Sequence, residues 1–479
     1  MILRLVLLIF LVQVSNTSFA QTKGYKITVT IDAFEEDTVF LAYRRADKVY
    51  SRDTAALING QFTFSGDKIL PTGIYLILMP PDNKFVEFVL SKNEQHIEIA
   101  TKAPDFYGNL TFKNAPDNQL LFDYQNYMSQ KIQESQTYQE KLATATDELT
   151  KAQWQTQLNR LQEQVSVHQE TLRSQHPDKF TSKLIGAFQE PMVPESPKKA
   201  DGTIDETFPF RYYREHYFDS FDFSEEGLVN TPYLKQKIEY YLDKLTAQIP
   251  DSLNIAVDYI LEKTQSNKIV FRYTISHILN RYYRPKIVGL DAVYVHIANK
   301  YYKTGIADWV NEDDLKKILD DAYMINGVLI GNPAPEVSCN LFDYETETWT
   351  DSLVNLYEID SEWIVVFLWK PGCPACKKMT EELKVFYENW KDKGVEIYAI
   401  SSASKKDLEK AQKDIKEKDV NWITVADPYL KERALMKYYG TSLPKVYLLD
   451  KEKIIRASRV GASQLEEIIL KEKEKKAEN

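Results

Sequence analysis

The sequence predicts a multidomain protein: an N-terminal antiparallel β-sandwich, a central all-α region and a C-terminal α/β domain. Three observations carry this prediction. Apolar and polar residues alternate in short runs from Tyr25 to Asn114, the period of half-buried strands. Apolar spacing then turns helical, with no Gly or Pro between Asn118 and Gln175. Beyond residue 327, strand-like and helix-like runs alternate, as layered α/β domains do. At 479 residues the chain is too long for a single core, since domains hold roughly 100 to 200 residues each.

In order along the chain, residues 1–20 read as a signal peptide, because Arg4 precedes an apolar run from Leu5 to Val14 and the polar "SNTSFA" that follows ends in Ala20. The apolar run is about half of the roughly 20 residues that a membrane span requires. No cysteine follows the expected cleavage site, so a lipoprotein anchor is not supported. Residues 21–115 hold "YKITVTID", "GQFTFSG", "GIYLILM", "KFVEFVL" and "HIEIA", punctuated by Gly, Pro, Asp and Asn. They predict the sandwich, or a small barrel, and nothing in them gathers catalytic side chains.

Residues 116–200 predict a helical hairpin and a Pro-rich linker. Trp154, Leu158, Leu161, Val165, His168 and Leu172 step by four and three residues, which is a heptad seam. The reversal falls near "LATATDE", with Thr146 or Asp147 as N-cap, and His168 is a helix contact rather than a ligand. Residues 201–326 predict an all-α domain that positions or dimerises the flanking modules. Its "FPFRYYREHYFDSFDF" interleaves Arg with aromatics, as base-stacking surfaces do, but acidic residues sit in the same stretch and the chain carries a net charge of −10. Packing between helices is the reading, and nucleic acid is excluded as a partner.

Residues 327–479 form the α/β domain. Trp363 to Trp369 is a continuous apolar run fit for a central strand, and a helix is expected from Pro374 to about Asp392, stopped by Gly394. Further helices are expected at Lys405 to Lys418, from Pro428 to Tyr438 and from Ser463, with strands at "VEIYAI", "NWITVA", "KVYLLD" and "KIIRASRV".

The stretch "FLWKPGCPACKK" holds Cys373 and Cys376, two of the chain's three cysteines. An exported chain with one close pair is not a disulfide-stapled scaffold, so the pair is chemical rather than architectural. With Cys373 as N-cap, Pro374 falls at N1 and Cys376 at N3, where its N–H reaches the Cys373 sulfur. The i, i+3 spacing brings the two side chains close enough to bond. A thiol of pKa about 8.5 is only about 3% thiolate at pH 7, against about half at a pKa near 7. The helix dipole supplies roughly 0.3 to 1 kcal/mol, less than one pKa unit at about 1.4 kcal/mol. Direct N–H donation therefore carries most of the activation, with Lys370 and Lys377 adding a little.

The strand, the "W..GCPACKK" turn, the long helix and the later "TSLPKVYLLD" together resemble the thioredoxin-like fold, specifically the TlpA/ResA-like thiol-disulfide oxidoreductases of the bacterial cell envelope. "IGNPAPEV" resembles the opening of that domain, and the segment from Lys405 to Val425 its usual insertion. The resemblance implies catalytic Cys373 and Cys376, substrate contact by Leu443, Pro444 (the cis-proline) and Trp369, and a periplasmic enzyme. Its partners are disulfide-containing exported proteins and a membrane electron donor, and the helical region offers a route to oligomers. No cofactor is implied beyond the Cys373–Cys376 redox disulfide, and no metal. Gly372 stands where thioredoxin has an aromatic residue, Phe367 where it has a buried acid, and Met379 where some relatives have a glutamate. Glu381 and Glu382 are the nearby acids.

Rival readings are weaker. A zinc site needs two further ligands, yet all six histidines precede residue 300 and the remaining cysteine is Cys339, itself most simply a small strand residue. A peroxiredoxin-like peroxidase has Thr three residues before its cysteine, where this chain has Lys370. The alternative from another class is a non-catalytic binding or scaffold protein that uses the same module.

Overall fold

The computed structural model describes residues 24–82 and 84–478, so the signal peptide expected at 1–20 lies outside the described residues. It divides into two compact units, one ending at Lys237 and one beginning at Ile238.

The first unit opens with eight strands: β1 (Tyr25–Asp32), β2 (Thr38–Arg45), β3 (Lys48–Ala56), β4 (Phe62–Gly66), β5 (Gly73–Met79), β6 (Lys84–Leu90), β7 (His96–Lys102) and β8 (Thr111–Lys113). They form two four-stranded sheets, ordered β4-β1-β7-β8 and β3-β2-β5-β6. Alternation does the expected work: Tyr25, Ile27 and Val29 of β1 point inward while Lys26 is exposed. Ile27, Phe62, Phe64 and Ile97 of one sheet share a core with Leu41, Ile77 and Phe88 of the other. One pair departs from the antiparallel expectation. β1 and β7 run parallel, with Ile27 opposite Ile97, because five strands separate them in sequence and no hairpin sets their direction.

Helices α1 (Pro116–Thr144) and α2 (Glu148–Gln175) follow. Of the two N-cap candidates, Asp147 takes the position, its carboxylate accepting the Thr150 N–H at 2.9 Å. The heptad seam faces α1: Trp154 stacks on Tyr138 and His168 lies 3.9 Å from the Tyr127 ring. Burial pulls the His168 pKa down, as a helix contact should. Next come α3 (Phe180–Phe188) and α4 (Phe208–His216). The aromatic stretch is packing, with Tyr217, Phe218, Phe221 and Phe223 buried.

The unit boundary falls within α5 (Tyr233–Lys244), inside the predicted all-α region. The second unit continues with α6 (Pro250–Thr264), α7 (Lys268–Tyr283), α8 (Asp291–Ile297) and α9 (Glu312–Asn326). Then come β9 (Ser338–Asp343), β10 (Thr348–Asn355), β11 (Trp363–Trp369), α10 (Pro374–Trp390), β12 (Val395–Ser401), α11 (Leu408–Lys418), β13 (Ile423–Ala426), α12 (Ala434–Lys437), β14 (Lys445–Asp450), β15 (Ile455–Ser458) and α13 (Ala462–Glu478). The seven strands form one mixed sheet ordered β10-β9-β13-β12-β11-β14-β15.

β11 lies between parallel β12 and antiparallel β14 and is buried throughout, which is why it reads as an unbroken apolar run. Gly394 ends the α10 segment at φ +83°, as expected. The helix expected from Pro428 to Tyr438 shrinks to α12. Asp427 accepts the N–H groups of Lys431 and Ala434, and Leu430 and Arg433 take positive φ, so side-chain capping holds this segment as turns. β10 was not expected: "TWTDSLVN" lies at the sheet edge, half-exposed and without clean alternation.

Candidate active site

β11 ends at Trp369, whose carbonyl accepts the Ser402 N–H at 2.8 Å. The chain turns through Lys370 to Gly372, and Gly372 takes φ +74°, a conformation that side chains with a Cβ resist. Its N–H donates to Asp414 Oδ2 at 2.6 Å, and a Cβ here would strike the Lys410 side chain. The aromatic residue missing before the first cysteine is thus replaced by a turn clamped from α11.

Cys373 is the N-cap of α10 with Pro374 at N1, and its Sγ accepts the Cys376 N–H at 3.2 Å. Cys373 is half-buried and Cys376 is 1% exposed; both are free thiols. Desolvation, the largest influence on Cys373, raises its pKa. The Cys376 side chain, the N–H groups of Cys376 and Ala375, and the Lys370 ammonium outweigh it, so the thiol lies below its ordinary value. Burial pushes Cys376 up to about 12, with the adjoining Cys373 sulfur adding to the rise. The pair is therefore split into an accessible, readily ionised sulfur and a buried, protonated one.

Trp369 belongs to the core cluster that contains Cys376, and Cys373 and Leu443 pack against it. Lys445 pairs with Leu368 in the last rung between β14 and β11, so Leu443 and Pro444 lie just beyond the ladder, at the end of β11 that leads to the cysteines. The Leu443–Pro444 peptide bond is cis. Phe367 is buried in the same cluster, so no carboxylate stands on that strand face. Glu381 and Glu382 are exposed. Cys339 is 1% exposed and burial raises its pKa to about 12. Its strand, β9, is three strand spacings from β11, about 14 Å, which leaves it outside the pair.

The sequence reading missed Lys418. This residue ends α11, half-buried, with Nζ donating to Thr380 Oγ1 at 3.0 Å and lying 6.0 Å from the Trp369 ring centroid. Thr380 in turn donates to the Cys376 carbonyl at 2.9 Å. Burial lowers the Lys418 pKa, against the pull of Asp414, Glu381 and Cys376, and its charge favours a thiolate at Cys376. Lys410, Asp414 and Lys418 recur every four residues, one face of a helix, which is the signal that would have found them.

Lys418→Met is expected to raise the Cys376 pKa further, leaving less thiolate at a given pH. Release of substrate from a mixed disulfide should slow about tenfold at neutral pH, equivalent to about one pKa unit. The alkaline rise of its pH–rate profile should move upward, and Lys418→Arg should restore it. Stopped-flow rates across pH read this out; superimposable profiles would contradict the role.

Over residues 330–458 the chain matches the AhpC/TSA family, and residues 25–121 and 150–324 match two domains of unknown function (DUF4369 and DUF5106). Among curated proteins none matches the chain. Among solved structures, a thioredoxin-like protein from Bacteroides caccae is similar at 19% identity, covering 59% of this chain and 98% of that one, with a TM-score of 0.47. The thioredoxin domain of a thiol-disulfide oxidoreductase from Bacteroides vulgatus is similar at 26% identity, covering 30% and 96%, with a TM-score of 0.26. A thiol:disulfide interchange protein from Bacteroides sp. also shares 26% identity, covering 30% and 90%, with a TM-score of 0.26. Residues 330–458, the stretch similar to the AhpC/TSA family, hold Cys373, Cys376 and the Leu443–Pro444 turn.

Proposed function

We propose that this protein is an exported thiol-disulfide oxidoreductase that reduces, or exchanges, disulfides of envelope proteins through Cys373 and Cys376. One observation carries the reading: the accessible Cys373 sulfur accepts the N–H of buried Cys376 at the opening of α10, which favours a thiolate on the first cysteine and a thiol on the second.

In the first step the Cys373 thiolate attacks one sulfur of a substrate disulfide. A Cys373–substrate bond forms, the substrate S–S bond breaks, and the second substrate sulfur leaves as a thiolate that takes a proton from water. Cys376 then loses its proton, aided by the Lys418 charge, and attacks Cys373 Sγ. The Cys373–Cys376 disulfide forms and the first substrate sulfur leaves. Two electrons have passed from the dithiol to the substrate. A reductant must return them, and a membrane electron donor fits an exported enzyme. Trp369 shares the core cluster of Cys376, and Leu443, which leads into Pro444, packs against it; a substrate chain at the pair would meet these three residues.

The test is insulin reduction under dithiothreitol. The protein is expected to accelerate precipitation of the insulin B chain over dithiothreitol alone, whereas equal rates would favour a scaffold that uses the module only to hold a partner. A reduction potential near that of strong oxidants, measured against glutathione, would reverse the direction of electron flow.

A further inference from the structure

Next to the Leu443–Pro444 turn the fold gathers four cations from three segments. A cavity of about 250 Å³ is lined by Arg284, Lys286, Thr441, Ser442, Lys445 and Arg459. Arg284 and Lys286 stand exposed in the turn that follows α7. Lys445 opens β14 and is only 6% exposed, its Nζ donating to the Tyr439 carbonyl and lying 4.2 Å from the centroid of the Tyr439 ring. Arg459, just past β15, pairs with Asp291 at the start of α8. None of the cavity-lining residues is acidic.

Like charges gathered round one cavity oppose one another, with Asp291 offsetting Arg459. Burial lowers the Lys445 pKa to about 8, and Arg459 and Arg284 push in the same direction. An anion entering the cavity would relieve that repulsion and meet several charge-assisted donors at once. Thr441 and Ser442 run directly into Leu443 and Pro444. An extended chain held on that turn advances about 3.3 Å per residue, so a side chain two or three residues along it reaches roughly 7 to 10 Å from the turn, towards Thr441 and Ser442 of the cavity lining.

We propose that this cavity is a substrate subsite that receives an acidic side chain of the disulfide-bearing polypeptide, roughly two or three residues from the attacked cysteine. The assignment rests on the oxidoreductase reading and adds a substrate class to it: disulfide-bonded segments with Asp or Glu beside the cysteine.

The test uses the full-length protein and two peptides, each N-acetylated, C-terminally amidated and closed by one disulfide, identical except for Glu or Gln near the first cysteine. The Glu peptide is expected to show about tenfold higher kcat/KM, the size of one charge-assisted hydrogen bond, with the preference shrinking as salt screens it. In Arg284→Gln/Lys286→Gln, both on an exposed turn, the ratio should fall towards one. Hydroxyethyl disulfide, which is neutral, reports the cysteine pair separately. Reduction of hydroxyethyl disulfide together with equal kcat/KM for the two peptides overturns the subsite and leaves the oxidoreductase standing. Should hydroxyethyl disulfide and both peptides go unreduced, the oxidoreductase reading falls. The subsite is then judged by fluorescence anisotropy on disulfide-free, serine-substituted versions of the same peptides, where equal Kd values for Glu and Gln overturn it.

Discussion

Serine at position 373 is expected to lower insulin reduction by roughly a thousandfold or more, about 4 kcal/mol of lost transition-state stabilisation. A hydroxyl neither ionises near neutral pH nor attacks sulfur as a thiolate does. Stability should not fall with activity. Serine is nearly isosteric and a better N-cap than most residues, so its oxygen can take over the bond from the Cys376 N–H that Cys373 Sγ now accepts. A thermal melt at or slightly above that of the parent protein, together with lost turnover, is the predicted combination. Turnover matching the parent would remove Cys373 from the chemistry.

Cys376→Ser is expected to stop the reaction one step later. Its Cys373 still attacks, but no second sulfur resolves the mixed disulfide, so substrate should accumulate on the enzyme in near-stoichiometric amount after a single turnover. Cys339 offers no escape: it is buried, its thiol is held protonated by burial, and it sits across the sheet on β9. A non-reducing gel or intact mass of Cys376→Ser after incubation with a disulfide substrate reads the adduct directly. Full turnover without an adduct would contradict the order of attack. The same variant, used as bait in a cell-envelope extract, would name the substrates.

Much of the domain that carries the site was legible because its signals are local. The apolar run Trp363–Trp369 has nowhere to go but the middle of a covered sheet, and Cys373 followed by Pro374 fixes both the cap and the first helical residue. Asp147, the seam through Leu161 and His168, and Gly394 are read the same way, within one turn of the chain. What escaped depends on long-range placement. Lys410, Asp414 and Lys418 lie about forty residues from the cysteines in sequence and reach them only once α11 docks. The four cations of the cavity come from three segments far apart in sequence, each ordinary by itself. The parallel pairing of β1 with β7 is set by which strands become neighbours, and α12 shortens because Asp427 competes for the N–H groups that a longer helix would use.

The titration of the Cys373 thiol bears most directly on the chemistry, since the first step begins from its thiolate and the second cannot occur without the first. In the fully reduced protein, the rate of alkylation at Cys373 by iodoacetamide, followed by mass spectrometry across pH, gives the midpoint for that residue alone. The predicted midpoint lies below the value of about 8.5 for a free thiol, because N–H groups at the opening of α10 hold the sulfur anion. A midpoint at or above about 8.5 would contradict an activated Cys373.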